Sequence, residues 1–322
     1  MKRALLLAAH GRGRVSPNPM VGAVIVHDGR IIGEGFHAFY GGPHAEVNAI
    51  NSVAESDRHL LKDSTMYVTL EPCAHYGKTP PCAELLVKTG IPRVVIAASD
   101  PNPLVAGKGI EILKNAGVEV ECGVLKEESE ELNRRFIKAH SSSRPWIILK
   151  WAQSSDGFMA ALDDNDNSCP VKFSSPMSSV WMHRERSFVD AIMVGSVTEK
   201  TDKPSLTVRF WGGNSPKRIY PDSQIPLPLM MENLRKDGIT SLMVEGGART
   251  LEGFIESGLF DEIRVETASV NLGAGVKAPC FHALHLPRLS EERWGGNRID
   301  RHFSPRLTGW VKTLPEGLPE FC

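Results

Sequence analysis

The chain has 322 residues, a formal net charge of −1 at pH 7 and 7% aromatic residues. That length predicts about two domains, and so balanced a charge gives no hold on nucleic acid or on a membrane surface, which leaves a small-molecule partner. Six cysteines in no dense framework exclude a disulfide scaffold and fit thiols kept reduced in the cytoplasm.

Met1 to His10 has a basic start and a short apolar run, followed by Gly-Arg-Gly-Arg without a small-residue cleavage site. An amphipathic first helix is therefore expected rather than a signal peptide, and no stretch is long enough to span a membrane. Ser16-Pro17-Asn18-Pro19 is a rigid loop, in which Asn18 is either a turn residue bonding its own backbone or a substrate contact. Strands over 21–26 and 31–36 flank His27-Asp28-Gly29-Arg30, a hairpin signal. A helix starting near Pro43 carries His44, Glu46, Val47 and Ile50, and the strand Thr65–Leu70 ends at Glu71-Pro72-Cys73. Residues 83–88 read as a helix closed by Gly90, 93–98 as a buried strand ending at Ser99-Asp100-Pro101-Asn102-Pro103, 109–115 as a helix and 118–120 as a short strand. This alternation predicts an α/β sandwich with a mainly parallel sheet after an opening hairpin. Ligands of such folds sit beyond the strand ends, where Cys73 and Asp100 fall.

Lys126 to His140 reads as one helix with a solvated, charged face, and Ser141-Ser142-Ser143-Arg144-Pro145 breaks the composition, giving domains 1–143 and 144–322. The second half restarts with a strand at Trp146–Trp151 and continues with a polar loop over 162–168, a helix over 175–186 and a strand over 191–194 that runs into the small-residue turn Gly195-Ser196-Val197-Thr198. Ser241–Glu245 then enters Gly246-Gly247-Ala248-Arg249-Thr250, where a strand, a Gly-Gly turn and a helix N-terminus form either an ordinary turn or a cradle for a pyrophosphate.

The sharpest chemistry lies between residues 43 and 82. His44, Cys73 and Cys82 are three ligands suited to Zn²⁺, and three protein ligands with one open position are what a hydrolytic site needs. No fourth Cys or His nearby closes the set into a structural site. Two residues after His44, Glu46 supplies a proton shuttle, provided the metal sits over the helix N-terminus, because positions two apart on a helix diverge by roughly 200°. The pattern is the His-x-Glu…Pro-Cys signature of zinc deaminases, in which the Glu is not a ligand. A nucleic-acid deaminase would need a basic groove or stacking aromatics, and neither is evident. A metal-stabilised binding protein is the rival from another class, and it would be indifferent to Glu46.

Ser16–Val26, Gly42–Ala49 and Thr69–Cys82 closely resemble the deaminase half of the bifunctional deaminase/reductase of bacterial riboflavin biosynthesis, over residues 1 to about 140. The eight-residue insert between the cysteines is that family's spacing. The resemblance implies a cytidine-deaminase-like α/β/α sandwich that hydrolytically deaminates a diaminopyrimidinone ribosylamine phosphate, with zinc on His44, Cys73 and Cys82, Glu46 as catalytic residue, and substrate held by Asn18, His37, His75, Lys78, Asp100 and Asn102. The second half resembles the family's NADPH-dependent reductase, of dihydrofolate-reductase-like α/β fold, which opens the ribosyl ring to a ribityl chain. Ala152, Thr198, Asp202, Ser223 and the turn Gly247, Ala248, Arg249, Thr250, Leu251, Glu252 and Gly253 match cofactor positions. Arg186, Leu206, Arg209 and Glu245 match substrate positions, the arginines facing phosphate and Glu245 facing sugar hydroxyls. A homo-oligomer joined through the reductase-like domains is also implied.

Three departures from the family pattern stand out. Lys172 replaces a frequent aromatic residue, Lys203 replaces the second Asp of Asp-Asp-Pro, and the stretch near 224–228 is several tens of residues short. A sheet that lost a strand there would expose backbone and apolar surface. The second domain would then be a non-catalytic nucleotide-binding or dimerisation module, the alternative to a working reductase.

Overall fold

The computed structural model describes residues 1–76, 80–102, 105–165 and 167–304, with only the backbone of 201 and 202. Lys78 lies outside the described residues, as does the side chain of Asp202. The chain divides into two compact units between Ser142 and Ser143.

In unit 1, α1 (Lys2–Ala9) sets Ala4 and Leu7 against Val24 of β1 (Gly22–His27). Asp28 and Gly29 both take positive φ, 46° and 75°, as the two-residue hairpin into β2 (Arg30–Phe36) demands. α2 (Ala45–Asn51) lies so close on β2 that a Cβ on Gly35 would collide with the backbone of Ala49. A 3-10 helix over Glu55–Asp63 leads to β3 (Thr65–Leu70), followed by α3 (Cys82–Thr89), β4 (Arg93–Ala98), α4 (Lys108–Asn115) and β5 (Glu119–Cys122). The five strands run in the order β2-β1-β3-β4-β5, antiparallel through β3 and parallel beyond it. Because β3 and β4 are parallel neighbours, Glu71–Cys73 and Ser99–Asn102 leave the same edge side by side. Met66, Val68, Val94 and Ile96 are fully buried against Ala49, Leu86 and Leu113 of the flanking helices.

The charged stretch expected as one helix is two, α5 (Lys126–Leu132) and α6 (Arg134–Ser141). Between them Asn133 turns inward: its Oδ1 accepts from Met20 N–H at 2.8 Å and its amide donates to Met20 O at 2.9 Å, so the chain bends to keep both bonds.

Unit 2 begins with β6 (Trp146–Gln153) and then β7 (Phe158–Leu162), β8 (Ser168–Pro170), α7 (Pro176–Arg186), β9 (Ala191–Met193), α8 (Ser196–Asp202), β10 (Lys217–Ile219) and α9 (Leu227–Lys236). β11 (Ser241–Val244), α10 (Ala248–Glu256), β12 (Glu262–Thr267), β13 (Val276–Lys277), β14 (Arg288–Trp294) and β15 (Asn297–Phe303) complete the described part. The main sheet runs β10-β9-β11-β6-β12-β15-β14, parallel as far as β12. Its central strands are buried on both faces, as parallel strands between helix layers must be: Ile147, Leu149 and Val244 meet α9 and α10 residues, while Trp146, Ile148 and Ile192 meet Trp181 and Met182 of α7. The ends of the polar loop expected over 162–168 belong to a small sheet, β13-β7-β8, pairing Leu162 with Ser168. A three-residue strand ending in proline carries too little alternation to be read from sequence. The short stretch after Ser223 follows β10, the edge strand, so it leaves the sheet with an edge and not a gap.

Candidate active sites

In unit 1 the metal-ligand set assembles where the β3 end meets the N-termini of α2 and α3. His44 is the N-cap of α2 in extended conformation (φ −71°, ψ 164°), because the helix opens at Ala45 and not at Pro43. Glu46 in the first turn can therefore share the site. Cys82 opens α3, where helix N–H groups favour a thiolate, and its own N–H donates to Cys73 Sγ at 3.3 Å. His44 Nδ1 lies 3.5 Å from Cys73 Sγ and 3.4 Å from Cys82 Sγ. Ligands at ordinary Zn–N and Zn–S lengths around one tetrahedral ion would be about 3.5 Å apart, so the three fit zinc. The hydrogen bond from Cys82 holds Cys73 below the ordinary thiol range and, by the same bond, Cys82 above it. A divalent cation in place of that shared proton lets both become thiolates.

Glu46 is 3% exposed. Burial, reinforced by the Cys73 charge, pushes its carboxyl up to about 7, a value suited to accepting and returning protons near neutrality. Beside it, His37 Nδ1–H donates to Pro43 O at 3.0 Å and Nε2 accepts from the Asn18 amide at 3.2 Å; burial keeps this imidazole below its ordinary pKa. The Asn18 side chain thus bonds a second candidate residue, while its backbone N–H closes the turn onto Val15 O at 2.9 Å. Asp100, raised chiefly by burial, accepts Asn102 N–H at 2.8 Å. The structure therefore gathers Asn18 with His37 and Asp100 with Asn102, while His75 is exposed.

Glu71, read from sequence only as part of the Cys73 motif, proves to be a brace. Its buried carboxylate accepts N–H bonds from Asp100, Gly107, Gly109 and Ile110, tying the α4 N-terminus and the Asp100 segment to the strand that delivers Cys73. Its four partners are backbone groups at least 29 positions away in sequence, so no local pattern announces the role. Asn133 holds the Asn18 loop in the same manner.

In unit 2 the candidate residues lie at the C-terminal ends of parallel strands. Gly247 caps α10, and its N–H donates to Thr198 Oγ1 at 3.1 Å, bringing the first turn of α8 to the N-terminus of α10. A Cβ on Gly246 would stand 2.8 Å from Thr250 Cβ and one on Gly247 3.0 Å from Thr198 Oγ1. The small-residue turn expected at Gly195–Thr198 is the start of a helix, and these glycines let the two turns close into a cradle of backbone N–H groups suited to a dinucleotide phosphate. Ala152 is the last residue but one of the central strand β6, Arg249 is exposed in the first turn of α10, and Ala248, Thr250 and Glu252 share that helix. A Cβ on Gly253 would meet Leu227 only at an ordinary contact of 3.7 Å, and Leu251 faces the core, leaving only its backbone to a ligand. Ser223 is exposed on the turn before α9.

Arg186 and Glu245, expected to serve phosphate and hydroxyls separately, form one two-pronged ion pair at 2.8 and 2.7 Å. Burial opposes ionisation of Glu245, but Arg186 outweighs it and keeps the carboxyl below its ordinary value. Arg186 Nη1 also reaches Thr207 O, and Arg209 Nη1 donates to Thr207 Oγ1 at 3.1 Å. Leu206 is 3% exposed, so its side chain packs into the core instead of facing a substrate. Lys172 is exposed, and Lys203 ends α8 with φ 42°. Lys150, quoted from sequence only within its strand, is buried, bonded to Glu266 at 3.4 Å and close enough to help ionise Glu245.

Residues 1–98 match the cytidine and deoxycytidylate deaminase zinc-binding region, and residues 145–231 and 224–293 match the RibD C-terminal domain. The riboflavin biosynthesis protein RibD of Aquifex aeolicus (strain VF5) is 39% identical over 320 residues, covering 86% of this chain and 88% of that protein; the RibD of Escherichia coli (strain K12) is 34% identical, covering 87% and 89%. Among solved structures, a diaminohydroxyphosphoribosylaminopyrimidine deaminase/5-amino-6-(5-phosphoribosylamino)uracil reductase from Thermotoga maritima superimposes with a TM-score of 0.85 at 33% identity, covering 94% of this chain and 97% of that one. Acinetobacter baumannii RibD gives 0.84 at 34% identity with the same coverages. Both expected folds, a deaminase sandwich and a reductase domain, are present, and the chain belongs to the RibD family of riboflavin biosynthesis proteins.

Proposed function

We propose that this chain carries out two consecutive steps of riboflavin biosynthesis: zinc-dependent hydrolytic deamination of diaminohydroxyphosphoribosylaminopyrimidine by residues 1–143, then NADPH-dependent reduction of the product's ribosyl side chain by residues 144–322. The division between Ser142 and Ser143 supports those boundaries. The observation that carries the reading is the His44, Cys73 and Cys82 cluster with Glu46 buried beside it.

Zinc held by the three ligands supplies the Lewis acidity that makes water nucleophilic near neutral pH. Glu46 takes a proton from the water as its oxygen bonds to the ring carbon and passes it to the adjacent ring nitrogen, then carries the hydroxyl proton to the amino nitrogen, so that ammonia leaves and a carbonyl remains. Asn18, held by His37, would contact the pyrimidine ring together with Asp100, Asn102 and His75, and Lys78 is the residue assigned to the phosphate.

In unit 2, NADPH supplies a hydride to the sugar carbon that bears the nitrogen. Gly247–Gly253, Thr198, Asp202, Ser223 and Ala152 are the residues proposed to hold the cofactor. Arg209 and the outer face of Arg186 would neutralise the substrate phosphate, and Glu245 would accept from a sugar hydroxyl. Leu206 contributes by holding the Arg209 loop. The described residues contain no helix long and apolar enough to cross a membrane, and free Cys122, Cys169 and Cys280 fit a reducing cytoplasm. A homo-oligomer joined through unit 2 is part of the reading.

The test is a paired assay on zinc-loaded protein given the pyrimidine ribosylamine phosphate and NADPH, following ammonia release and NADPH oxidation separately. Both signals are expected. Ammonia without oxidation would reduce unit 2 to a non-catalytic nucleotide-binding or dimerisation module, and neither signal would refute the reading.

A further inference from the structure

Segment 206–210 is irregular backbone that meets Arg186 through Thr207, and such a loop has no order of its own. Here it is fixed at both ends. Leu206, at φ 48° in a region costly for a non-glycine residue, is held there by burial of its side chain among Trp146, Trp181 and Phe303. At the other end the anchor is His183 of α7, three residues before Arg186 and therefore on the same helix face. Its Nδ1 accepts the N–H of Arg209 at 2.7 Å, and its ring lies 4.7 Å from that of Phe210, with the Arg209 guanidinium 5.8 Å over the other ring.

We infer that His183 is a positioning residue for the reductase: by fixing the Arg209 backbone it holds the guanidinium beside Arg186, where both can meet the substrate phosphate. The inference rests on the proposed phosphate role of Arg209. Three observations support it. His183 is only 4% exposed, so it is packed in one orientation. Burial first, then the charges of Arg186 and Arg209, hold it below the ordinary imidazole pKa against the pull of Glu245, so Nδ1 stays unprotonated and able to accept. Finally, Thr207 lies between the two arginines, taking Arg186 Nη1 on its carbonyl and Arg209 Nη1 on its hydroxyl, so displacing residue 209 disturbs both. An arginine that must find its geometry on binding costs affinity through lost side-chain freedom; preorganisation removes that cost without touching the hydride step.

A positioning role therefore predicts a change in KM and not in kcat. NADPH oxidation is followed with the deaminated ribosylaminouracil phosphate as substrate, and inorganic phosphate is titrated as a competitive inhibitor. His183→Ala should raise KM and the phosphate inhibition constant together by about tenfold while kcat changes less than about twofold. His183→Asn, whose side-chain oxygen falls close to the Nδ1 position, should restore most of the loss. Arg209→Ala should raise KM at least as far, and the double variant should fall well short of the product of the two single effects. If Arg209→Ala raises KM but His183→Ala does not, the positioning role is wrong while the phosphate reading stands. An Arg209→Ala variant with unchanged KM and unchanged phosphate inhibition overturns both. Equal loss in His183→Asn and His183→Ala, or loss confined to kcat, also overturns the role.

Discussion

Replacing Glu71 should disable deamination without removing zinc. The carboxylate is 5% exposed and makes two good bonds, from Gly109 N–H at 3.0 Å and Gly107 N–H at 3.1 Å, and two longer ones, from Asp100 N–H at 3.3 Å and Ile110 N–H at 3.4 Å. Counting only the short pair, at the value of hydrogen bonds to a charged group, Glu71→Ala should cost about 3–5 kcal/mol locally. Glu71→Gln keeps one acceptor but points an amide N–H₂ at two backbone donors, so about half that cost, roughly 2 kcal/mol, remains. None of this touches the metal ligands directly. What moves is the segment bearing Asp100 and Asn102 together with the α4 N-terminus, and 2 kcal/mol spent on reordering them is about a 30-fold rise in KM. The assay is ammonia release against substrate concentration, with zinc content measured on the same samples and hydrogen exchange read at Gly107, Gly109 and Ile110. Glu71→Gln should hold its zinc, lose protection at those amides and require more substrate. Wild-type kcat/KM together with unchanged exchange at the three amides would refute the brace.

Other expectations follow from the same geometry. Glu46→Gln should retain zinc and lose ammonia release by about 10²–10⁴-fold, while NADPH oxidation with already deaminated substrate continues; normal deamination by this variant would remove Glu46 from the mechanism. Cys82→Ser should lower zinc affinity, read as faster metal loss to a chelator, because a hydroxyl at the start of α3 is a poor replacement for a thiolate. Arg186→Met should destabilise unit 2 by about 2–4 kcal/mol, since it leaves the largely buried Glu245 carboxylate without its partner. In the parent protein Glu245 ionises more readily folded than unfolded, so its contribution is present above the ordinary carboxylate pKa and is lost as pH falls through the lower folded value. Without Arg186, burial is opposed only by the weaker pull of Lys150 and His183, so the folded pKa rises and the contribution gained above the ordinary carboxylate pKa shrinks; denaturant midpoints from about pH 3 to pH 7 would report a flatter slope.

The parts of this protein legible in its sequence are those where chemistry or periodicity restricts residue type locally. Zinc accepts few side chains, so His44, Cys73 and Cys82 declare themselves across 38 positions, and Asp28-Gly29 announces its turn because both residues must take positive φ. Glu71, Asn133 and His183 do not, because each bonds backbone groups brought near only by the fold, at separations of 26 to 113 residues. Their sequence neighbourhoods look like the end of a strand, the middle of a charged helix and an ordinary helical turn. The break between α5 and α6 has the same origin: the tertiary bonds of Asn133 outweigh the local preference for one continuous helix.

The shortened stretch after β10 follows a different logic, that of position in the sheet. β10 has one neighbour, β9, and exposes Lys217 and Arg218, the kind of charged residues that keep an edge strand from pairing further. Chain lost beyond such an edge breaks no ladder in the rest of the sheet. The strands that carry chemistry lie inward of it: β9 delivers Gly195, β11 delivers Glu245 and β6 delivers Ala152, and Glu245 N–H is still held by Met193 O at 2.8 Å. The Arg186–Glu245 pair and the Thr198–Gly247 contact are built from these strands and the helices that follow them. A stretch after β10 shorter than the family pattern, as the sequence leads one to expect, would therefore leave the residues proposed for the reductase in register. Its effect should fall on the exposed turn that carries Ser223, weakening the hold on the outer part of the cofactor. If so, the KM for NADPH should be raised relative to full-length relatives while kcat at saturating cofactor is not, and a kcat lower by orders of magnitude at saturation would show that the edge matters to the chemistry after all.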